Sequence, residues 1–160
     1  MPKTLYLVRH AKSDWDNALA DFNRPLNKRG FRDAPEMGRR FKARHALPDQ
    51  IICSPAKRAF QTLEHLDLGV PHIRLEESIY EASTETLFRI IQSLENSIDS
   101  AMLIGHNPAM TWLASHLTHT VIANLPTCAI VALELSSNQW NEIGETPLKL
   151  LYLDYPKKTD

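Results

Sequence analysis

The residues best suited to chemistry in this sequence stand at the ends of three short apolar runs. Leu5–Val8 leads into Arg9-His10, Ile51–Cys53 into Ser54-Pro55-Ala56-Lys57-Arg58, and Met102–Gly105 into His106-Asn107-Pro108. Two arginines and two histidines make a set that grips an oxyanion. A guanidinium offers a planar fork of donors, and an imidazole can serve as nucleophile, proton carrier or donor. Part of each segment also has a purely structural reading. Charged residues cap strands, and Ser54-Pro55 and Asn107-Pro108 each set a capping side chain before a proline, as helix starts do. Capping does not account for Arg9, His10, Arg58 or His106. A cation at a helix N-terminus opposes the helix dipole, and a bound anion offsets that penalty.

Residues this far apart meet only if the fold brings the run ends together. Short apolar runs alternate with segments of helical period, which predicts an α/β fold with a mostly parallel sheet. Strands are expected at 4–8, 50–53, 72–75, 101–105, 128–135 and 149–155. Helices are expected at 33–44, 55–66, 83–97 and 108–116. In the third, Leu87, Ile90, Ile91 and Leu94 recur at helical spacing. Arg24-Pro25-Leu26 with Gly30 reads as the turn into the first helix. Trp112, Leu113, Leu117 and Met110 read as a core face, residues 136–147 as a turn, and the final PKKTD as a frayed tail. In open α/β sheets ligands sit beyond the carboxyl ends of the strands. The three run ends therefore define one candidate crevice.

Composition narrows the classes. A chain of 160 residues with 43% hydrophobic and 23% charged content fits one domain spanning 1–160. Its 18 basic and 19 acidic residues give a net charge of −1, so no global field favours nucleic acid or an anionic membrane. No apolar run reaches the about 20 residues of a membrane span, and the N-terminus lacks a signal-peptide pattern. Cys53 and Cys128 form no CxxC pair and read as buried free thiols in a reducing cytoplasm. The seven histidines lack HxH or HExxH spacing, which speaks against a metal.

LVRHAKSDW, RPLNKRG, SPAKRAFQT, IYEAS and GHNPAM, in this order, resemble the histidine phosphatase superfamily. Within it they are most similar to the short SixA-like phosphohistidine phosphatases. The likeness runs from Leu5 to about Met110. It implies a three-layer, phosphoglycerate-mutase-like sandwich with His10 as nucleophile and Arg9, Arg58 and His106 clamping the phosphate. Glu81, in IYEAS, falls where many members keep a proton donor; Asp14 and Asp16 remain alternatives. Ser13, Arg24 and Asn107 are candidate supports, and Lys12 and Trp15 stand beside the motif without an assigned role. The mutase branch carries RHG, then Glu and Ser, then Trp-Asn. Here Ala11, Lys12 and Asp16 replace the Gly, Glu and Asn, which turns the expectation away from sugar-phosphate mutases.

The chemistry follows from the residue types. Phosphoryl transfer is mostly positioning and charge neutralisation, and two arginines supply both. His10 must present an unprotonated ring nitrogen while a carbonyl or similar acceptor holds its other N–H. His106 is expected to donate to a phosphoryl oxygen, as imidazolium in so anionic a setting. Only 22 residues separate Arg58 from Glu81, too few for a lid. The expectation is a cytoplasmic, monomeric, cofactor-independent phosphatase acting on phosphohistidine of a signalling or phosphotransfer protein. A general phosphomonoesterase and a non-catalytic phosphoprotein-binding module are the alternatives.

Overall fold

The computed structural model describes residues 2–16 and 18–158. Six strands, β1 (Lys3–Arg9), β2 (Gln50–Cys53), β3 (Ile73–Leu75), β4 (Ser100–Gly105), β5 (Ile130–Leu135) and β6 (Lys149–Asp154), form one sheet in the order β3-β2-β4-β1-β5-β6. The β3-β2, β2-β4 and β4-β1 pairs are parallel, and β5 runs antiparallel to both of its neighbours. Four helices flank it: α1 (Lys28–Arg44), α2 (Lys57–Leu66), α3 (Thr84–Gln92) and α4 (Ala109–Thr118).

The alternation of side chains along β1 builds the layers. Leu5 and Leu7 pack with Leu87 and Ile91 of α3 and Leu113 and Leu117 of α4. Tyr6 and Val8 face the other way, onto Met37 and Phe41 of α1 and Leu63 and Leu66 of α2. The result is an α/β/α sandwich around a mostly parallel sheet, as the sequence predicts. Gly38 lets α1 and α2 touch, since a Cβ there would lie 1.9 Å from the Leu66 carbonyl oxygen.

Several boundaries differ from expectation for local reasons. α1 starts at Lys28 rather than near residue 33, because Asn27 caps it by accepting from Gly30 N at 2.9 Å. Pro35 therefore sits inside the helix instead of near its start. Gly30 belongs to the first helical turn; its missing side chain makes room for the Lys12 carbonyl, 2.2 Å from where a Cβ would be. α3 ends at Gln92, and the Asn96 carbonyl beyond it accepts from Lys3 Nζ. β5 begins after Cys128, whose φ of 62° is incompatible with a strand. Residues 136–147 contain a short 3-10 turn, Trp140–Glu142, that buries Trp140 completely. Trp112, expected in the core, is 60% exposed, while Met110, Leu113 and Leu117 are buried. The start of the predicted tail is fastened, with Arg40 donating to the Pro156 carbonyl; residues 159–160 of it lie outside the described residues.

Cys53 and Cys128 are buried and free. Burial pushes the Cys128 thiol up to about 12, and raises that of Cys53 strongly as well. No helix among the described residues is long and apolar enough to cross a membrane.

Candidate active site

The three run ends belong to the three adjacent parallel strands β2, β4 and β1, so their carboxyl ends emerge side by side. Backbone bonds tie them at that edge: His10 N donates to the Gly105 carbonyl at 3.1 Å and Ser54 N to the Ile104 carbonyl at 3.0 Å. The crevice expected from the sequence is thus a product of strand order.

His10 is 7% exposed and fixed in orientation. Its Nδ1 lies 2.7 Å from the Ala11 carbonyl, which can only accept, so Nδ1 carries the proton and Nε2 presents its lone pair. The backbone around it is pinned: Cys128 N donates to the His10 carbonyl, and Ala11 N to Thr62 Oγ1 from α2. Burial, then the charges of His106, Arg58 and Arg9, hold the His10 imidazole well below its ordinary pKa, against an opposing pull from the Ala11 bond. The ring is neutral at physiological pH.

Arg58, in the first turn of α2, donates through Nε to His10 Nε2 at 3.3 Å. His106, just past β4, stacks at a tilt against His10 with ring centres 5.1 Å apart, and its Nε2 meets Ser54 Oγ at 2.7 Å. Burial first, then Arg58, lower the His106 pKa to about 4. In the free site His106 is therefore neutral; the expected imidazolium concerns the site with its anion bound. Arg9 donates through Nη1 to the Leu125 carbonyl at 2.7 Å. Among the described residues, Arg9 Nε and His106 Nδ1 are buried with no hydrogen-bond partner. Such groups are expensive to leave unpaired and are the donors an oxyanion would satisfy.

Of the candidate supports, Ser13 and Arg24 are buried and bonded to each other, with Ser13 Oγ accepting from Arg24 Nη1. Trp15 is 70% exposed and lies under Arg24, with the guanidinium carbon 3.6 Å from the ring centre. Asn107 does not line the site. Its Oδ1 accepts from Thr111 N in α4, and its Nδ2 donates to the same Leu125 carbonyl that holds Arg9. Ser54 does not cap α2, whose N-cap is Ala56; its hydroxyl accepts from Ala56 N and faces His106. Glu81 is exposed and follows Tyr80 with φ of 58°. Asp16 N donates to Asp14 Oδ1, which folds that acidic pair onto itself in the loop after β1.

Sequence reasoning missed Asp21 and Tyr80. The Asp21 carboxylate receives Arg58 Nη2 at 3.1 Å, Arg24 Nη2 at 3.1 Å and the Tyr80 hydroxyl at 2.6 Å. The Tyr80 bond above all, then Arg24 and Arg58, keep its carboxyl well below the usual carboxylate range. The available signals were slight: Asp21 stands three residues before Arg24, and Tyr80 directly precedes Glu81. Among the described residues no group of three His, Cys, Asp or Glu side chains is placed to hold a metal.

The arrangement provides a buried neutral imidazole flanked by two guanidiniums and a second imidazole, suited to gripping an oxyanion next to a nitrogen lone pair. Comparison with known proteins agrees. An uncharacterized protein of Mycobacterium tuberculosis is 32% identical over 146 residues, covering 85% of this chain and 91% of its own. A structure designated SixA from Agrobacterium tumefaciens superposes with a TM-score of 0.82 at 27% identity, covering 98% of this chain and 99% of that one. A protein histidine phosphatase SixA complexed with tungstate gives 0.81 at 22% identity, covering 96% and 97%. The profile of the histidine phosphatase superfamily, branch 1, matches residues 5–87. With strand order, the geometry around His10 and motif order in agreement, this chain belongs to the histidine phosphatase superfamily.

Proposed function

We propose that this protein is a phosphatase that removes phosphate from phosphohistidine on a protein, through a phosphoryl group carried transiently on His10. The observation that carries this reading is the His10 ring. Its Nδ1 proton is held by the Ala11 carbonyl, so Nε2 carries the lone pair. Arg58 Nε donates to that nitrogen at 3.3 Å in the free site, and the lone pair attacks phosphorus once Arg58 turns to the phosphoryl group. In the first step Nε2 forms a bond to phosphorus as the bond to the substrate nitrogen breaks, and the departing imidazole takes up a proton. Arg9, Arg58 and His106 stabilise the charge on the transferring oxygens. In the second step water attacks phosphorus, the bond to His10 breaks, and inorganic phosphate leaves with His10 restored. Guanidiniums neutralise the charge, so the reaction proceeds in EDTA. A cytoplasmic setting and a monomeric enzyme complete the proposal.

The phosphohistidine substrate draws support from the proteins designated SixA above, one of them named a protein histidine phosphatase. Glu81, exposed and next to Tyr80, is assigned as proton donor for ester substrates. A P–N bond needs less acid assistance, so Glu81→Gln lowers turnover of p-nitrophenyl phosphate more than that of phosphohistidine. The test compares wild type and His10→Ala on a phosphohistidine protein and on p-nitrophenyl phosphate, with EDTA present. Turnover is expected only with wild type, and acid-labile phosphate should appear on His10 in quenched samples. Turnover surviving in His10→Ala would sink the covalent route. Phosphoprotein binding without turnover in wild type would replace it with a binding module.

A further inference from the structure

The guanidinium that should clamp a phosphoryl group is already engaged by an anion of the same chain. Arg58 Nη2 donates to Asp21 Oδ2 at 3.1 Å, and Arg58 Nη1 donates to the Asp21 carbonyl at 2.7 Å. The remaining partners of that carboxylate, Arg24 and Tyr80, also belong to the mouth of the site: the Tyr80 ring lies 5.6 Å from His106 and 5.9 Å from the Arg58 guanidinium. Fold stability does not explain the arrangement. The turn Asp21–Asn23 buries none of its residues, and the Asp21 side chain is 49% exposed while its guanidinium partners are 7% exposed.

We propose that Asp21 is a built-in rival of the phosphoryl group for Arg58, weakening the hold on inorganic phosphate so that product leaves quickly. This rests on the phosphatase reading above. The guanidiniums of Arg24 and Arg58 face one carboxylate, and Arg9 ends β1, so the three arginines less Asp21 leave two positive charges for a dianion. Without Asp21 the site carries three, and phosphate stays longer. The rival also preserves the nucleophile between turnovers. While Asp21 holds both Nη atoms, Arg58 Nε points at His10 Nε2, which keeps that nitrogen unprotonated. An arriving dianion draws the guanidinium away and exposes the lone pair.

A purely supporting strut predicts the opposite sign. If Asp21 only braces Arg58, removing its charge lets the guanidinium wander and phosphate binds more weakly. The test measures competitive inhibition by inorganic phosphate, with kcat and KM on phosphohistidine protein, for wild type, Asp21→Asn, Asp21→Ala and Asp21→Glu. Removing one like charge at contact range across a half-exposed gap is worth roughly tenfold in anion affinity. Asp21→Asn and Asp21→Ala are therefore expected to lower the phosphate inhibition constant roughly tenfold, with kcat and KM falling together as release becomes limiting. Asp21→Glu retains the charge and stays near wild type. A constant that rises or does not change in Asp21→Asn, in protein whose melting temperature is intact, overturns the proposal. If wild type neither turns over nor binds phosphate, the phosphatase reading itself has failed, a result distinct from a changed Asp21 variant beside an active wild type.

Discussion

Two buried cations of this protein face half-exposed aspartates in nearly matched pairs. Lys3, at the start of β1, meets Asp99 at 3.0 Å, with side chains 2% and 54% exposed. Arg58, at the other edge of the sheet, meets Asp21 at 3.1 Å, with 7% and 49%. The pairs differ in what surrounds them. Lys3 Nζ also donates to the Asn96 carbonyl at 2.6 Å and lies 5.9 Å from the Trp140 ring, so its surroundings complete it. Arg58 stands beside a neutral histidine and beside Arg9, whose buried Nε has no partner among the described residues. An ion pair therefore does not mark a site by itself. What sets this pair apart from Lys3 and Asp99 is the unpartnered polar capacity at the same strand ends.

That contrast can be broken by substitution. Arg58→Lys keeps the charge and loses the fork, so kcat/KM is expected to fall about 10² to 10³-fold while the melting temperature barely moves; a mutant within a few-fold of wild type would make Arg58 another Lys3. Lys3→Met should do the reverse. Leaving the Asn96 carbonyl without its donor costs about 2 kcal/mol of stability in denaturant titration, with kcat/KM unchanged.

The two ends should also separate under acid. His106 titrates at about 4 in the folded protein against about 6.5 when unfolded. Between those values the unfolded chain binds the proton and the folded one does not, so stability rises with pH there. The contribution is complete above about 6.5 and is lost as pH falls toward 4, and His10 acts in the same direction. Melting temperature should thus drop from pH 7 to pH 5 in wild type and in Lys3→Met, and less steeply in His106→Gln. Parallel slopes in all three would remove His106 from the account. The smallest effect belongs to Asp99→Asn: an exposed partner at a completed pair, worth under about 1 kcal/mol, with no change in phosphate inhibition.

How much of this was legible in the sequence depended on the kind of signal. The run ends at Arg9-His10, Arg58 and His106 were visible because an apolar strand stopped by reactive residues breaks the ordinary pattern. Their convergence could be inferred only from the general rule for open α/β sheets, because strand order is a long-range property, and β4 inserting between β1 and β2 leaves no local trace. Asp21 hid for a related reason. It lies in an irregular segment, and its partners Arg58 and Tyr80 are 37 and 59 residues away. Ser54 misled because a cap and a site residue look alike before a proline. Trp112 misled because its helical spacing fits the core while its face does not, whereas Trp140 sat in what read as a polar turn and proved wholly buried.

The two cysteines carry a consequence for how this protein meets oxidants. Cys53 ends the strand that delivers Ser54 to the site, yet its Sγ donates to the Ser54 carbonyl, and burial keeps both thiols protonated at neutral pH. Thiolate is the form that peroxide and alkylating agents attack. Dephosphorylation built on His10 should continue in hydrogen peroxide or N-ethylmaleimide at doses that silence thiolate-dependent phosphatases. Under oxidative stress the reaction proposed at His10 would therefore persist.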